Sequence, residues 1–480
     1  MRRKRISILG MLLLALVAAL VTLPATAQDA EPEEPTIWVP DQLTTELRVK
    51  AAYNGQDILW LFEWPADPGS LFHDVLVYED GKWVKRGDSG IGADEYGLRE
   101  DRVIMMVDTG VVPGFANQGC YAACHDGLDS LSNGLDEDTV TTTLGEDWGR
   151  ADIRKFIPLS RNGAAWWDAS WDTPKSPEEL AALAEAGAFL DMWHWRSVRS
   201  NPIGYSDDQY VLEYRNSDEG KSAVSTNWDG DLKQPNVMFD PDKTGIYALN
   251  WDSLVAGEYS QDDVYFLSGD NSVPFDPNHA WQNGDVIPRR LLRIPQEGVA
   301  DITADGRWAD GLWRVELRRA MDTGNNSSDH ALLEGRTYNV GFAIHKNATG
   351  ARWHYISQGM KVGVGVPAEI TAVRFSGDNP DWDAIPWTTL PMYYPGQITW
   401  DWLTSDAHPG APEIRADERS CQSCHGNDQA AIVKLAQASV YHEVRDGRSS
   451  LNWWLTLAAG LTLLVGGTVT AFNVSKGKEK

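Results

Sequence analysis

The chain has 480 residues, 42% of them hydrophobic and 23% charged, with a formal net charge of -27. That length is a prior for two or three globular domains. So acidic a surface excludes nucleic acid by electrostatic repulsion and suits a well-solvated surface or the docking of a basic partner.

The first residues read as an export signal over 1–27. Arg2, Arg3, Lys4 and Arg5 form a basic start, Ile8 to Leu23 an apolar core, and Ala25-Thr26-Ala27 a small-residue cleavage site. A retained anchor is the alternative. Residues 28–36 are acidic and loose. From 37 onward strand signals dominate. Leu47, Val49, Ala51 and Tyr53 alternate with polar residues, Asn54-Gly55 supplies a turn, and Ile58, Trp60, Phe62 and Trp64 alternate again, which predicts a hairpin. A second hairpin is expected over Val75 to Tyr78 and Trp83 to Arg86, around Asp80-Gly81, and Arg102 to Val107 reads as a compact strand.

The chain is then polar and irregular to about residue 160. Ser176-Pro177-Glu178-Glu179 combines an N-cap, a proline at the first helical position and a capping-box glutamate, predicting a helix through Phe189. Trp313, Val315 and Leu317 share one face of a later strand, and Tyr338 to His345 and Lys361 to Val366 complete the set. Short strands, many turns and few helices predict a mainly β fold over 37–370, an immunoglobulin-like β-sandwich with long insertions. The pattern changes near Pro367 to a tryptophan- and proline-rich tail segment, 371–448. Leu451 to Val474 is an apolar run opening with Trp453-Trp454 and followed by Lys476, Lys478 and Lys480. It reads as one C-terminal transmembrane helix with a cytoplasmic lysine tail. A periplasmic body held at the inner membrane by a single-pass anchor is the expected location.

The chain has four cysteines, in two pairs, and each pair ends in Cys-His. Cys421, Cys424 and His425 have the spacing of c-type haem attachment, in which two thioethers fix the porphyrin and the imidazole takes the iron. A zinc half-site would need further ligands nearby, and a redox dithiol a βαβ context. Cys120, Cys124 and His125 carry one extra residue between the cysteines, so a local disulfide is the competing reading there. Two haems c are expected. For the sixth ligand of the tail haem, His408, His442 and Met392 stand open; for the first haem, His354, His345 and His194. Arg196 and Arg199 could pair with propionates, since arginine grips carboxylates through two bonds.

Several stretches resemble the haem-binding domain of the ethylbenzene dehydrogenase γ subunit and related subunits of the DMSO-reductase family of molybdenum enzymes. They are Arg102 to Val107, Gly119-Cys120 to His125, Asp191-Met192-Trp193-His194-Trp195-Arg196, Asn201-Pro202-Ile203-Gly204-Tyr205-Ser206-Asp207-Asp208 and Phe342-Ala343-Ile344-His345. The resemblance covers about residues 40–366. It implies a β-sandwich that holds one haem, axially between a methionine and a lysine in familiar members, and relays electrons. This chain departs by placing a Cys-x-x-x-Cys-His loop near the methionine's position and His354 in the lysine's region. Pro395-Gly396-Gln397 through His425 resembles a mono-haem tail appended to such domains.

The expected function is electron transfer by a membrane-anchored dihaem cytochrome c between respiratory proteins, a molybdenum oxidoreductase among the partners. The alternatives are a haem enzyme or gas-binding protein with an open distal side, and a mono-haem protein whose sandwich is a non-redox binding module with a Cys120–Cys124 disulfide.

Overall fold

The computed structural model describes residues 42–87, 96, 98–123, 134–347, 354–396, 398–406 and 408–420. The export signal, Cys124, His125, the Cys421–His425 motif, His442 and the apolar run at 451–474 lie outside the described residues. Strand β1 (Thr44–Tyr53) and β2 (Asp57–Pro65) form the first hairpin, with Tyr53 opposite Ile58. The Asn54 side-chain oxygen accepts from the Gln56 and Asp57 amides (3.0 and 2.8 Å), and Gly55 adopts a positive φ of 93°. The side chain thus builds the turn that sets the register. The second hairpin, Val75–Glu79 with Lys82–Arg86, turns through Asp80 and Gly81, both at positive φ.

Eleven more strands join β1 and β2 in one sheet: β3 (Arg102–Asp108), β4 (Leu190–Arg196), β5 (Asp207–Val211), β6 (Arg215–Ser217), β7 (Thr303–Ala309), β8 (Leu312–Ala320), β9 (Thr337–His345), β10 (Tyr355–Ile356), β11 (Met360–Val364), β12 (Ile370–Arg374) and β13 (Thr388–Tyr393). Two strands organise it. β1 gives one edge to β2 and divides the other between β13 (residues 44–49) and β12 (residues 51–53). β9 gives one edge to β3 and divides the other between β11 and β10. The parallel pair β11·β12 and the bridge Ile356–Tyr393 between β10 and β13 close a ring. The result is a six-stranded barrel, β1-β12-β11-β9-β10-β13, with two wings: β2-β8-β7 off β1, and β3-β4-β5-β6 off β9.

This corrects the expected immunoglobulin-like sandwich. Alternation along a strand reports which face is buried, not which strand lies beside it, and the closing pairs here are distant or parallel. Residues 370–393, read as the start of the tail, carry two of the six barrel strands. The expected transmembrane helix and membrane anchor are likewise corrected: among the described residues no helix is long and apolar enough to cross a membrane, and 451–474 is outside them. The helix at Pro177–Glu185 has its Ser176–Glu179 capping box in place.

The main core fills the barrel and runs under the wings. Trp64, Trp195 and Trp313 meet there edge to face or stacked, with ring centroids 5.0–6.4 Å apart. A second core covers the opposite face of β3, β4 and β9.

Candidate cofactor site

Residues directly opposite in an antiparallel pair share a face of the sheet. Across β9, β3 and β4 the register therefore lays out three rows on the face away from the main core. Gly341, Met106 and Met192 form the first, Ala343, Ile104 and His194 the second, and His345, Arg102 and Arg196 the third. From Gly341 to His345 the strip is about 14 Å long at a strand's rise per residue. All nine positions lie among residues with little or no exposure, Arg102 being partly exposed.

Cys120 sits over the first row. After β3 the Asp108 carboxylate accepts from the Val111 and Val112 amides (both 3.0 Å) and turns the chain into a short helix, α1 (Phe115–Gln118), and a 3-10 turn, Gly119–Ala123. A β-carbon on Gly341 would lie 3.7 Å from Cys120 Sγ and 3.3 Å from the Phe115 ring, so the missing side chain makes room for the thiol. Cys120 is fully buried, with Sγ 3.7 Å from the Phe342 carbonyl. The same carbonyl accepts from the Ser357 amide at 2.9 Å, so the chain just beyond His354 is fixed to the strand beneath Cys120.

Three of the histidines singled out in the sequence meet here. The rings of His345 and His354 stack 5.0 Å apart, inclined by 21°. His194 Nδ1 lies 3.0 Å from Gln209 Oε1, which leaves Nε2 for another contact. Among the described residues His194 Nε2 and His345 Nδ1 are buried with no hydrogen-bond partner, a costly condition unless a ligand satisfies them. Burial, together with Arg196, Arg215 and Arg102, holds His194 well below the ordinary histidine range; burial, then Arg102 and His354, does the same to His345. Both imidazoles are neutral, the form that binds a metal.

The far end of the strip is cationic. Arg196 pairs with Asp207 and Arg199 with Glu100 (2.7 Å), and Arg102 Nε lies 3.2 Å from the same Glu100 oxygen. Arg215, on β6, lies opposite Val211 and so level with Leu190, beyond the Met106–Met192 row at the other end of the strip. Arg102 and Arg215 were not foreseen. Alternation places Arg102 on the face of Ile104 and Met106, but its meaning needs the register with β4. Met106 and Met192 were missed for the same reason.

His408 and Met392 lie elsewhere. His408 is buried between α2 (Trp400–Thr404) and α3 (Ala411–Arg415), its ring 4.7 Å from that of Trp402. Met392 is in the barrel core. The segment that leads to the second motif nevertheless returns to the first. Ile398, Trp400, Leu403 and Ile414 pack into the core above the strip. Asn117 Nδ2 donates to the carbonyl and carboxylate of Asp417 (both 2.9 Å), and Gln118 Nε2 donates to the Arg419 carbonyl (2.5 Å).

A β-sheet face with a buried thiol, neutral imidazoles and guanidinium groups is that of a cofactor-binding redox protein. The chain belongs to the ethylbenzene dehydrogenase family, whose pattern matches residues 24–357. The matched range includes Cys120, His194, His345 and His354 and ends before α2. The chain is also similar to cytochrome c-552 of Stutzerimonas stutzeri, 31% identical over 111 residues, 22% of this chain and 36% of that relative's length.

Proposed function

We propose that this chain is a c-type cytochrome that carries single electrons between redox proteins, with one haem along the strip and a second at Cys421, Cys424 and His425. The observation that supports the first site is the order of chemistry along it. A haem has vinyl groups towards one edge and propionates at the other. The strip offers a thiol, then an apolar floor with an imidazole, then guanidinium groups. Cys120 would join the ring by adding its S–H across a vinyl double bond, sulfur to one carbon and hydrogen to the other. When bound, the haem supplies a one-electron iron couple.

The protein's own part is to hold and insulate. Ile104, Met106, Met192 and Ala343 give a dry, apolar floor that lowers the local dielectric. Gln209 orients His194 so that its Nε2 faces away from the hydrogen bond. His354, with His345 stacked on it, and His194 are the proposed partners of His125 for the iron; His408 and His442 are those of His425. Redox proteins are the proposed partners, a molybdenum oxidoreductase among them.

The test is a pyridine haemochrome assay with intact-mass measurement on the purified full chain. Two covalent haems are expected, one of them lost in a Cys120→Ala, Cys124→Ala double variant. One haem in both proteins would remove the first site, and none would sink the proposal. In the ligand assignment, His194→Ala and His354→Ala should differ, only one of them converting the first haem from low spin to high spin.

A further inference from the structure

Gln118 and Arg419 are 301 residues apart in sequence and joined by a hydrogen bond, each just ahead of one of the two Cys-His motifs. Asp417 makes most of the link around them. Its carboxylate accepts from the Gly114 amide (3.2 Å), and its carboxylate and carbonyl both accept from Asn117 Nδ2 (2.9 Å each). The aim of that carboxylate is set by the end of α3. Asp417 holds a φ of 55°, with its amide on the Ile414 carbonyl (3.0 Å) and the Glu418 amide on that of Glu413 (2.9 Å), the left-handed stop of a helix.

Behind this latch the packing is dry. A β-carbon on Gly114 would lie 3.0 Å from the Trp400 ring and 3.1 Å from that of Trp166, and Trp400 Nε1 donates to the Trp167 carbonyl (2.9 Å). Arg415 Nε donates to the Thr404 carbonyl (2.6 Å), which ties α3 to α2. Cys120 lies two residues past Gln118, and Cys421 two residues past Arg419. Two residues of extended chain span about 7 Å at most, so each motif begins within a short reach of the latch.

We infer that the Asn117–Asp417 latch holds the two attachment motifs side by side, so that the protein's redox centres form one interacting pair and not two independent ports; this rests on the haem reading above. Asn117 and Asp417 are positioning residues, acting through the chain that carries Cys120 and Cys421. Centres brought together across a dry interface feel each other's charge and spin strongly.

Low-temperature EPR of the oxidised, haem-loaded full chain is compared with that of a Cys421→Ala, Cys424→Ala variant, which lacks the tail haem. Neighbouring ferric centres broaden each other's signals, so loss of the tail haem is expected to sharpen the signal of the first. An unchanged line shape would overturn the inference and leave the haem reading standing, whereas a single haem in the parent would overturn both. The latch is tested by Asn117→Asp, which sets two carboxylates against each other. It is expected to sharpen the first signal with both haems still attached. Adding Asp417→Asn exchanges donor and acceptor, and asparagine tolerates the left-handed backbone at 417, so the broad signal should return. A signal that stays broad in Asn117→Asp, or stays sharp in the double variant, would overturn the latch. Should Asn117→Asp not fold, the comparison with the variant lacking the tail haem decides alone.

Discussion

Arg319 shows how single residues hold the wing that carries His194. Its guanidinium donates to Asp191 (2.6 and 3.1 Å), Asp208 (3.3 and 3.4 Å) and Asp329 (3.2 Å), so β4, β5, β8 and the loop after β8 are joined through one buried cation. Three carboxylates on one guanidinium leave surplus negative charge. Burial, reinforced by Asp191 and Asp218 against the opposing pull of Arg319, raises Asp329 to about 7. Unfolded, it releases its proton near pH 4. Between those values the folded chain binds a proton that the unfolded chain has lost, so this group makes stability rise as pH falls from about 7 towards 4. Asp329→Asn, neutral throughout, is expected to be more stable than the parent at pH 8 by about 1 kcal/mol or more. The difference should vanish near pH 4, as urea melts at the two pH values would show. An unchanged difference across that range would reject the assignment. Removing the cation should do the reverse: Arg319→Met leaves buried carboxylates uncompensated and is expected to cost about 3–5 kcal/mol at pH 8.

At the scale of elements, the site depends on how closely α1 approaches the turn before β11. A β-carbon on Gly359 would fall 2.4 Å from the Ala116 carbonyl oxygen, and one on Gly119, which has a φ of 53°, would fall 2.9 Å from the Gly359 amide. Two backbones touch here, with no flexible side chain between them to yield. Gly359→Ala is therefore expected to destabilise the chain by about 1–3 kcal/mol, measured by urea unfolding. It should also lower haem occupancy at the Cys120 motif while sparing the tail motif. Such contacts mark the limit of what sequence patterns convey. Asn54-Gly55, Asp80-Gly81 and the Ser176–Glu179 box encode their turns and helix cap within a few residues, and the structure forms all three. Gly359, by contrast, lies in Gln358-Gly359-Met360, which has no local feature to announce a contact with residue 116. His194 and His345 could be singled out because each stands in a strand of apolar and aromatic neighbours. The pairing of Arg102 with Glu100, by contrast, emerges only from the folded chain.

On the scale of the whole molecule, the barrel was invisible for a related reason. Periodicity identified three of its six strands, β1, β9 and β11, and none of its closing pairs. β12 pairs in parallel with both β1 and β11, and β13 reaches β1 from the other end of the described chain, with Thr44 opposite Tyr393. The segment taken for a separate tail supplies the last wall of the barrel, and then, through α2, α3 and Asp417, the cover of the first site. Body and tail are thus one structure as far as residue 420.

The pairing of Thr44 with Tyr393 has a consequence for how the chain is made. The edge of β1 that will meet β13 is synthesised near the beginning and finds its partner only after some 340 further residues have emerged. For all that time a row of amides and carbonyls on an apolar strand is open to a neighbouring chain. A chain cut after residue 386 keeps that edge open permanently. It is expected to aggregate in light-scattering assays under conditions that leave the full chain dispersed; equal dispersion of the two would argue that another segment shields the edge. The Cys120 loop also emerges long before the cover supplied by residues 398–419, so the ribosome delivers the cradle well ahead of its lid.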